Sequence, residues 1–260
     1  MCEQCGCSLS HEHMHVSDAK GKVSAIPADP HAVAVLTSIL RENDELAAHN
    51  REHLSAHGVL AINLMSSPGS GKTSLIEATI DAIGSRLRIA AIEGDIETEN
   101  DAVRIRAKGI PAVQITTGQT CHLDAHMVHD ALHALDLSAV DLLFIENVGN
   151  LVCPASFDLG QHANVTLLSV TEGDDKPAKY PAMFRKSDLV LLSKADLLGV
   201  LDDFDPAKAE RNLRALANGA PLMSVSSRRR DTLAPWLAWL DELRMRLPQP
   251  TAAVFMRSRI

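Results

Sequence analysis

Short apolar segments alternate with segments of helical periodicity from residue 59 almost to the C-terminus. Nearly continuous apolar runs of this length are typical of strands buried on both faces of a sheet. The predicted strands are 59–67, 88–95, 112–117, 141–149, 164–173, 188–196 and 221–227. The predicted helices begin at Gly71, near Asn100, at His122, near Pro206 and at Asp231. The alternation predicts an α/β fold, with a mostly parallel sheet covered by helices on both faces.

The chain before this alternation has a different pattern. Residues 1–28 combine thiols, histidines and small residues without periodicity, which predicts a flexible N-terminal tail. Asp29 and Pro30 have the character of a helix cap and a first-turn proline, and apolar residues follow at helical spacing. We therefore predict an N-terminal helix over 29–57, one large domain over 58–247, and a C-terminal tail over 248–260.

Composition limits the classes of partner. The 260 residues are 46% hydrophobic and carry a formal net charge of −8, so the chain can form a sizeable core but lacks a basic footprint for nucleic acid or anionic lipid. No apolar run approaches the roughly eighteen residues of a membrane-spanning helix, and the N-terminus does not have the pattern of a secretory signal. These features predict a cytoplasmic protein that binds neither nucleic acid nor membrane. Five cysteines, kept reduced in that compartment, indicate metal ligands or buried thiols.

The sequence SSPGSGKT, Ser66 to Thr73, follows the first predicted core strand. Its glycines let backbone N–H groups close on phosphate oxygens, Lys72 can reach the outer phosphates, and the Thr73 hydroxyl can bind Mg²⁺. Ser66 stands where the usual pattern has its first glycine, so a chance glycine-rich turn is the alternative. The pattern predicts a P-loop NTPase sheet and a set of phosphate contacts: Pro68, Gly69, Ser70, Gly71, Lys72, Thr73 and Ser74.

Carboxylates end two of the predicted strands. Asp95 and Glu146 lie where a parallel sheet presents its ligand edge, so they can hold Mg²⁺ directly or through water; helix capping is the alternative. Gly149 is expected to donate its N–H to a terminal phosphate. Asp101 and Glu97 both fall in a candidate switch segment, and the sequence does not choose between them as the residue that orients the catalytic water. The predicted catalytic set is Lys72, Asp95, Asp101 and Glu146.

The choice of base depends on SKAD, residues 193–196. A carboxylate at Asp196 can accept from the N1–H and the N2 amine of guanine, whereas adenine would leave it unpaired, so GTP is favoured over ATP. Lys194 is expected over the purine ring. Ser193 replaces the more common Asn or Thr, which predicts that one supporting hydrogen bond is shorter or lost. A further backbone N–H is expected from the next strand end: Ser224, Val225 and Ser226.

Cysteine and histidine define two candidate metal sites. Cys121 and His122 open a predicted helix, and Cys153 follows the loop after Glu146; together they suit zinc or nickel, with separately buried cysteines as the alternative. At the N-terminus, removal of Met1 would free the amine of Cys2, which with the thiolates of Cys2, Cys5 and Cys7 could satisfy square-planar Ni²⁺; an exposed redox-active tail is the alternative. Three further histidines are interpreted as mostly surface residues: His126, His129 and His133. In the tail, His11, His13 and His15 either add weak metal affinity or form a solvated polar segment.

Several motifs together resemble the HypB family, the GTPases of nickel-iron hydrogenase maturation. They are the N-terminal thiol motif, SSPGSGKT, EGD at 93–95, CHLDA at 121–125, ENVGNLVCPASFDLG at 146–160 and EGDDKPAKYP at 172–181. The resemblance implies slow GTP hydrolysis with Mg²⁺, GTP-dependent homodimerisation, and work with HypA to insert Ni²⁺ into the hydrogenase large subunit, directly or through another protein. It also implies a tight nickel site at Cys2, Cys5 and Cys7, and a nickel or zinc site at Cys121, His122 and Cys153.

Two hypotheses extend this interpretation. GTP is expected to reorder residues 146–153 and so move Cys153, coupling nucleotide state to metal affinity. Lys176 or Lys179 is expected to contact the nucleotide of a partner subunit across the dimer. The rival functions are a nickel storage protein and a urease-type nickel GTPase, although the Cys-Pro-His set of the latter is absent.

Overall fold

The computed structural model describes residues 15–17, 23–25 and 30–248. Its strands are β1 (His15–Ser17), β2 (Val23–Ala25), β3 (Leu60–Ser66), β4 (Ile89–Asp95), β5 (Ala112–Thr116), β6 (Leu142–Glu146), β7 (Ala163–Ser169), β8 (Leu189–Ser193) and β9 (Leu222–Ser224). Its helices are α1 (Pro30–Ala56), α2 (Lys72–Ile83), α3 (Asn100–Ala107), α4 (Ala125–His133), α5 (Lys176–Lys179), α6 (Pro181–Arg185), α7 (Pro206–Arg214) and α8 (Ala234–Arg246). The thiol motif of Cys2, Cys5 and Cys7 lies outside the described residues, as do His11, His13 and residues 249–260 of the predicted C-terminal tail.

A seven-stranded sheet has the order β5-β4-β6-β3-β7-β8-β9, and all its neighbouring strands run parallel. The predicted α/β fold class is therefore confirmed. β1 and β2 form a separate antiparallel pair that the pattern did not predict. Because β3 lies between β6 and β7, the loops after these three strands meet at one edge of the sheet, as do those after β4 and β8.

Both faces of the sheet are covered by helices. Leu60, Ile62 and Leu64 of β3 join one buried cluster with residues of α2 and α8, whereas Ala61 joins another with residues of α1 and α4. This division follows from the two-residue period of a strand, which sends alternate side chains to opposite faces. Burial on both sides explains why the strands are continuously apolar instead of alternating.

Helix α1 is packed firmly on the domain. Asn50 is fully buried, and its amide donates to the carbonyl oxygens of Ala125 and Leu159 at 2.9 and 3.2 Å. Gly160 has φ +90°, and a Cβ there would lie 2.6 Å from the Ala47 carbonyl oxygen, so this glycine permits close backbone contact with α1. The Arg51 guanidinium also pairs with Asp158 at 2.6 Å.

The prediction that a helix begins at His122 is wrong. Helix α4 begins at Ala125, because the extended residue Asp124 caps it by accepting from the Met127 N–H at 2.8 Å. Cys121 and His122 therefore lie in the loop before the helix. The final helix begins at Ala234 after a short 3₁₀ segment, Arg230–Leu233, instead of at Asp231. Among the residues with described structure, no helix has the length and apolarity needed to cross a membrane.

Candidate nucleotide and metal site

The phosphate loop connects the end of β3 to the start of α2. Gly69 and Gly71 have φ of +72° and +98°, which glycine adopts readily and other residues do not. The side chain of Lys72 is only 7% exposed, and its Nζ donates to the Ser66 hydroxyl at 3.2 Å. Ser66 has no positive φ and still belongs to β3, so the backbone does not require the usual first glycine at that position.

Glu172, which sequence analysis did not select as a site residue, holds this loop in place. Its carboxylate accepts from the hydroxyls of Ser67 and Ser70 at 2.8 and 2.5 Å. Glu172 follows β7, so the contact links the phosphate loop to a neighbouring strand end. The EGDDKPAKYP motif was the only signal that could have indicated it.

A cavity of about 370 Å³ lies beside the loop, bounded by residues of Pro68 to Ser74 and by the ends of β4 and β6. Gly149 closes one side of it. A Cβ at Gly149 would lie 2.8 Å from the Cα of Pro68, so only glycine lets this segment approach the loop so closely. Gly149 therefore lines the cavity beside the phosphate loop, and its N–H contact with a phosphate stays a prediction.

Two buried glutamates form the floor of the cavity. Glu93 and Glu146 are register partners on β4 and β6, and the Thr73 hydroxyl donates to Glu146 at 3.0 Å. Burial, then the charge and hydrogen bonding of Glu146, raise the pKa of Glu93 well above its ordinary value, so Glu93 is the partner that retains a proton. Burial also raises the pKa of Glu146, although Lys72 opposes this, with Nζ 3.8 Å from the carboxylate. One oxygen of each glutamate is buried without a hydrogen-bond partner from the protein, as expected of atoms that bind a cation or water.

Glu93 gives a prediction for stability. Because its pKa is raised in the folded protein, the unfolded chain releases the proton first, so stability is lost as pH rises from about 4.5 towards the folded pKa. Glutamine at 93 keeps a donor and cannot titrate. In nucleotide-free urea unfolding at about pH 5 and about pH 8, we expect wild type to lose more stability than E93Q. The exposed-residue control E97Q should follow wild type; equal losses in wild type and E93Q would contradict the assignment.

The remaining acidic residues have local partners. Oδ1 of Asp95 accepts from the N–H groups of Glu97 and Thr98 at 2.9 and 3.0 Å, which lie in the loop before α3, so Asp95 does not cap that helix. Burial tends to raise the pKa of Asp95, but the N–H donors of Thr98 and Glu97 outweigh it and lower the pKa. Asp101 pairs with Arg104 at 2.8 Å. Because Asp95 and Asp101 also line the cavity, their predicted roles toward Mg²⁺ and water stay predictions.

A second cavity of about 320 Å³ fits the predicted base position. Asp196 lines it, and Oδ1 accepts from the Ser226 hydroxyl at 2.5 Å, which is the main cause of a lowered Asp196 pKa. Lys194 has φ +56°, and its Nζ donates to the Thr171 hydroxyl at 3.3 Å. The Ser193 hydroxyl donates to the Ser70 carbonyl at 2.7 Å, which ties this segment to the phosphate loop.

The hydrogen bonds at the end of β9 show which backbone N–H groups already have partners and which could contact the nucleotide base. Val225 N–H donates to the Leu192 carbonyl and Ser226 N–H to the Thr232 hydroxyl, so both have partners within the fold. Ser224 does not line the base cavity, whereas Ser227 and Arg228 do. Ser227, which the sequence analysis did not name, is therefore the better candidate for this N–H contact.

Cys121, His122 and Cys153 converge, although Cys153 is 32 residues from Cys121. Their ligand atoms lie within 4.8 Å of one another, and the two sulfur atoms are 2.8 Å apart. Nδ1 of His122 is buried without a hydrogen-bond partner, and the ring stacks on Phe157 at 4.0 Å. Burial lowers the pKa of His122 despite the nearby Asp124, so its imidazole is neutral and can bind a cation without losing a proton. This donor set fits a zinc or nickel ion.

Two asparagines join this metal site to the nucleotide cavity. Asn147 directly follows Glu146, and its Oδ1 accepts from the Leu123 N–H at 3.1 Å, next to His122. Asn150 donates to the Cys121 carbonyl at 3.2 Å. Both residues lie in the segment from Glu146 to Cys153 that was expected to respond to GTP. The two sites are therefore connected by side-chain hydrogen bonds as well as by the chain.

Lys176 and Lys179 lie away from both cavities in this single chain. Nζ of Lys176 lies 5.3 Å from the ring centroid of Tyr180, and Lys179 pairs with Asp175 at 2.6 Å. Neither cavity is lined by Lys176, so its contact with a nucleotide across a dimer stays a prediction.

Comparison with known proteins identifies the family of the nucleotide-binding domain. The family model for the CobW/HypB/UreG nucleotide-binding domain matches residues 60–224. A hydrogenase maturation factor HypB from Azotobacter vinelandii is 54% identical over 79% of this chain and 68% of its own length. The chain belongs to the HypB family. The HypB of Cupriavidus necator is 36% identical, and the match covers 98% of this chain and 95% of that protein.

Solved HypB structures share the fold. Helicobacter pylori HypB, crystallised in complex with nickel, is 41% identical with a TM-score of 0.75, covering 81% of this chain and 99% of that one. The HypB of Archaeoglobus fulgidus is also 41% identical, with a TM-score of 0.73 over 78% of this chain and 99% of that one. The predicted resemblance to the HypB family of P-loop GTPases and hydrogenase maturation factors is thus confirmed.

Proposed function

We propose that this HypB protein is a GTP-hydrolysing nickel metallochaperone that delivers Ni²⁺ for the large subunit of nickel-iron hydrogenase. HypA is the proposed partner, GTP-dependent homodimerisation the proposed assembly, and the cytoplasm the proposed location. The observation that carries the proposal is the hydrogen bond from the Leu123 N–H to Asn147, because it connects a phosphate-side loop to a thiolate and imidazole site. Supporting it are a guanine-type Asp196 and the complex of Helicobacter pylori HypB with nickel.

The nucleotide chemistry follows from the cavity residues. Bound Mg²⁺ would neutralise charge on the phosphate oxygens. Thr73, Glu146 and Asp95 are its proposed ligands, and the unpartnered oxygen of Glu146 fits this role. Lys72 places a buried positive charge beside the outer phosphates. Asp101, held by Arg104 at 2.8 Å, is the proposed residue that orients water.

The metal chemistry uses two sets of ligands. Cys2, Cys5 and Cys7 are proposed to hold Ni²⁺ tightly, while Cys121, His122 and Cys153 form the site that responds to nucleotide. Ni²⁺ is the proposed cargo, and Zn²⁺ is also compatible with the second set. Movement of residues 146–153 on GTP binding would displace Cys153 and Asn150 relative to Cys121. Nucleotide state would then change metal affinity, and metal would change nucleotide affinity by the same factor.

We expect Ni²⁺ affinity to differ between the GDP and GTP-analogue states by about fivefold or more in a chain with serine at Cys2, Cys5 and Cys7. In the same background, N147A should reduce that difference, because it removes the acceptor for the Leu123 N–H. The measurement is Ni²⁺ titration with a nonhydrolysable GTP analogue or GDP. The matched control is N218A, a change far from both sites that also removes an asparagine.

Equal Ni²⁺ affinity with both nucleotides would overturn gating and favour the storage alternative. A difference that N147A leaves intact would retain gating but reject Asn147 as the connection. Nucleotide-dependent transfer of Ni²⁺ to purified HypA tests the delivery step directly. The urease-type alternative lacks support in this chain, because Cys153 is followed by Pro154 and Ala155 instead of Pro and His.

A further inference from the structure

Histidines from two helices meet where α1 packs against α4, apart from the nucleotide and cysteine sites. His49 and His53 are four residues apart on α1, His57 lies one residue beyond the end of that helix, and His129 and His133 are four apart on α4. Such spacing places side chains on one face of a helix. The two rows face each other, with ring centroids 5.5 Å apart for His49 and His129, and 6.2 Å apart for His53 and His133.

The surroundings of His129 determine which ring nitrogen can bind a cation. Nδ1 of His129 lies 2.9 Å from Oδ1 of Asn50. The orientation of the Asn50 amide is determined by its other end, which donates to two carbonyl oxygens in the buried interface. Asn50 Oδ1 must therefore accept, so Nδ1 of His129 carries the proton and Nε2 presents a lone pair. A second partner that fixes the tautomer in this way is typical of metal-binding histidines.

His133 supplies a second nitrogen at ligand spacing. Its Nε2 lies 3.1 Å from Nε2 of His129. Two nitrogens that each lie about 2.1 Å from one ion would be separated by about 3.0 to 3.4 Å at octahedral or tetrahedral angles. The pair therefore needs no large rearrangement to hold a common cation. His49 and His53 approach from α1 on the opposite side.

The cluster is electrically suited to a cation at neutral pH. Partial burial, then the neighbours His57, His133, His49 and His129, lower the pKa of His53. The pKa of His129 is also lowered, by burial first and then by His133 and His49, against the opposing charge of Asp130. Neutral imidazoles keep the lone pairs with which they can bind a cation.

We propose that His129 and His133, with His49 and His53, form an additional site for a borderline divalent transition metal such as Ni²⁺. All-nitrogen imidazole sites suit nickel, copper and zinc. The site lies at the surface, so it would exchange metal more readily than a buried thiolate site. A cation there would also join α1 to α4, the helix that directly follows the Cys121 and His122 loop.

The test is Ni²⁺ titration of the full chain with all five cysteines replaced by serine, without nucleotide. We expect H129Q/H133Q to bind Ni²⁺ about tenfold or more weakly at this site and to lower the stoichiometry by one. H126Q is the matched control, because His126 is exposed on the same helix. The His11 to His15 segment is present in every variant, so its contribution cancels.

The proposal is overturned if H129Q/H133Q and H126Q bind Ni²⁺ alike. If the chain with five serines fails to fold, the same histidine variants are made in the chain with its cysteines intact and measured by equilibrium dialysis. H129Q/H133Q must then bind one Ni²⁺ fewer per chain than H126Q. These measurements use no nucleotide, so they are independent of GTP gating at the Cys121 site.

Discussion

Replacement of Asp196 by asparagine is expected to weaken GTP binding by about a hundredfold or more. The Ser226 hydroxyl donates to Oδ1 of Asp196 at 2.5 Å, and it would donate to the amide oxygen in the same way. The new NH₂ group would then face the N1–H and N2 amine of guanine, where donor meets donor and the buried groups lose their partners. Fluorescence titration of a labelled GTP analogue measures this loss.

D196N should also change its nucleotide preference. Xanthine carries a carbonyl in place of the guanine N2 amine, so D196N is expected to bind xanthosine triphosphate more tightly than GTP. D202N, a change at an exposed aspartate outside the base cavity, should keep wild-type affinity. GTP binding by D196N within about threefold of wild type would rule out Asp196 as the guanine-binding carboxylate.

Replacement of Lys72 by alanine is expected to lower the rate of GTP hydrolysis by about a hundredfold to a thousandfold. The ammonium group is almost fully buried, with Nζ 3.8 Å from Glu146 and 3.2 Å from the Ser66 hydroxyl. It is therefore held ready for charge that develops on the phosphates, without reorganisation of water. Phosphate release under single-turnover conditions separates this effect from weaker binding.

A lysine on the surface provides the control for Lys72. Lys108 pairs with Asp81 at 2.6 Å on an exposed part of the domain, and such pairs contribute about 0 to 1 kcal/mol to stability. K108A should hydrolyse GTP at the wild-type rate. Hydrolysis by K72A within about tenfold of wild type would mean that the buried ammonium holds Glu146 in place instead of stabilising the transition state.

Local patterns predicted most of the scaffold. The strands were found because burial on both faces makes each one apolar over its whole length, and the phosphate loop because its glycines, Lys72 and Thr73 are contiguous. Asp95 and Glu146 were predicted for a related reason, since carboxylates at strand ends stand out from apolar runs, and both line the cavity beside the phosphate loop. The start of α4 was misjudged because His122 continues the helical spacing backwards, although Asp124 is a local cap residue whose partner, Met127, is only three residues away.

Residues that act through distant partners could not be found in the same way. Glu93 was noticed only as part of the EGD motif, because the sequence does not show the register of β4 and β6 that places it beside Glu146, where burial raises its pKa. Glu172 becomes important only because it reaches two hydroxyls of the phosphate loop. The facing histidine rows depend on how α1 packs against α4, and each row alone resembles an ordinary polar helix face.

By itself, the sequence determined the seven strands of the parallel sheet, the glycine-rich loop before α2 and the family to which the chain belongs, and it predicted Asp196 as the guanine-binding carboxylate. These features depend on short runs of residues, whose periodicity and chemistry are independent of the rest of the chain. Only the tertiary structure decided that Cys121, His122 and Cys153 converge, that Glu93 and Glu146 share a buried environment, and that Asn147 connects the two sites. The reason is physical: burial, pKa and ligand geometry depend on which distant segments the parallel sheet brings to one edge.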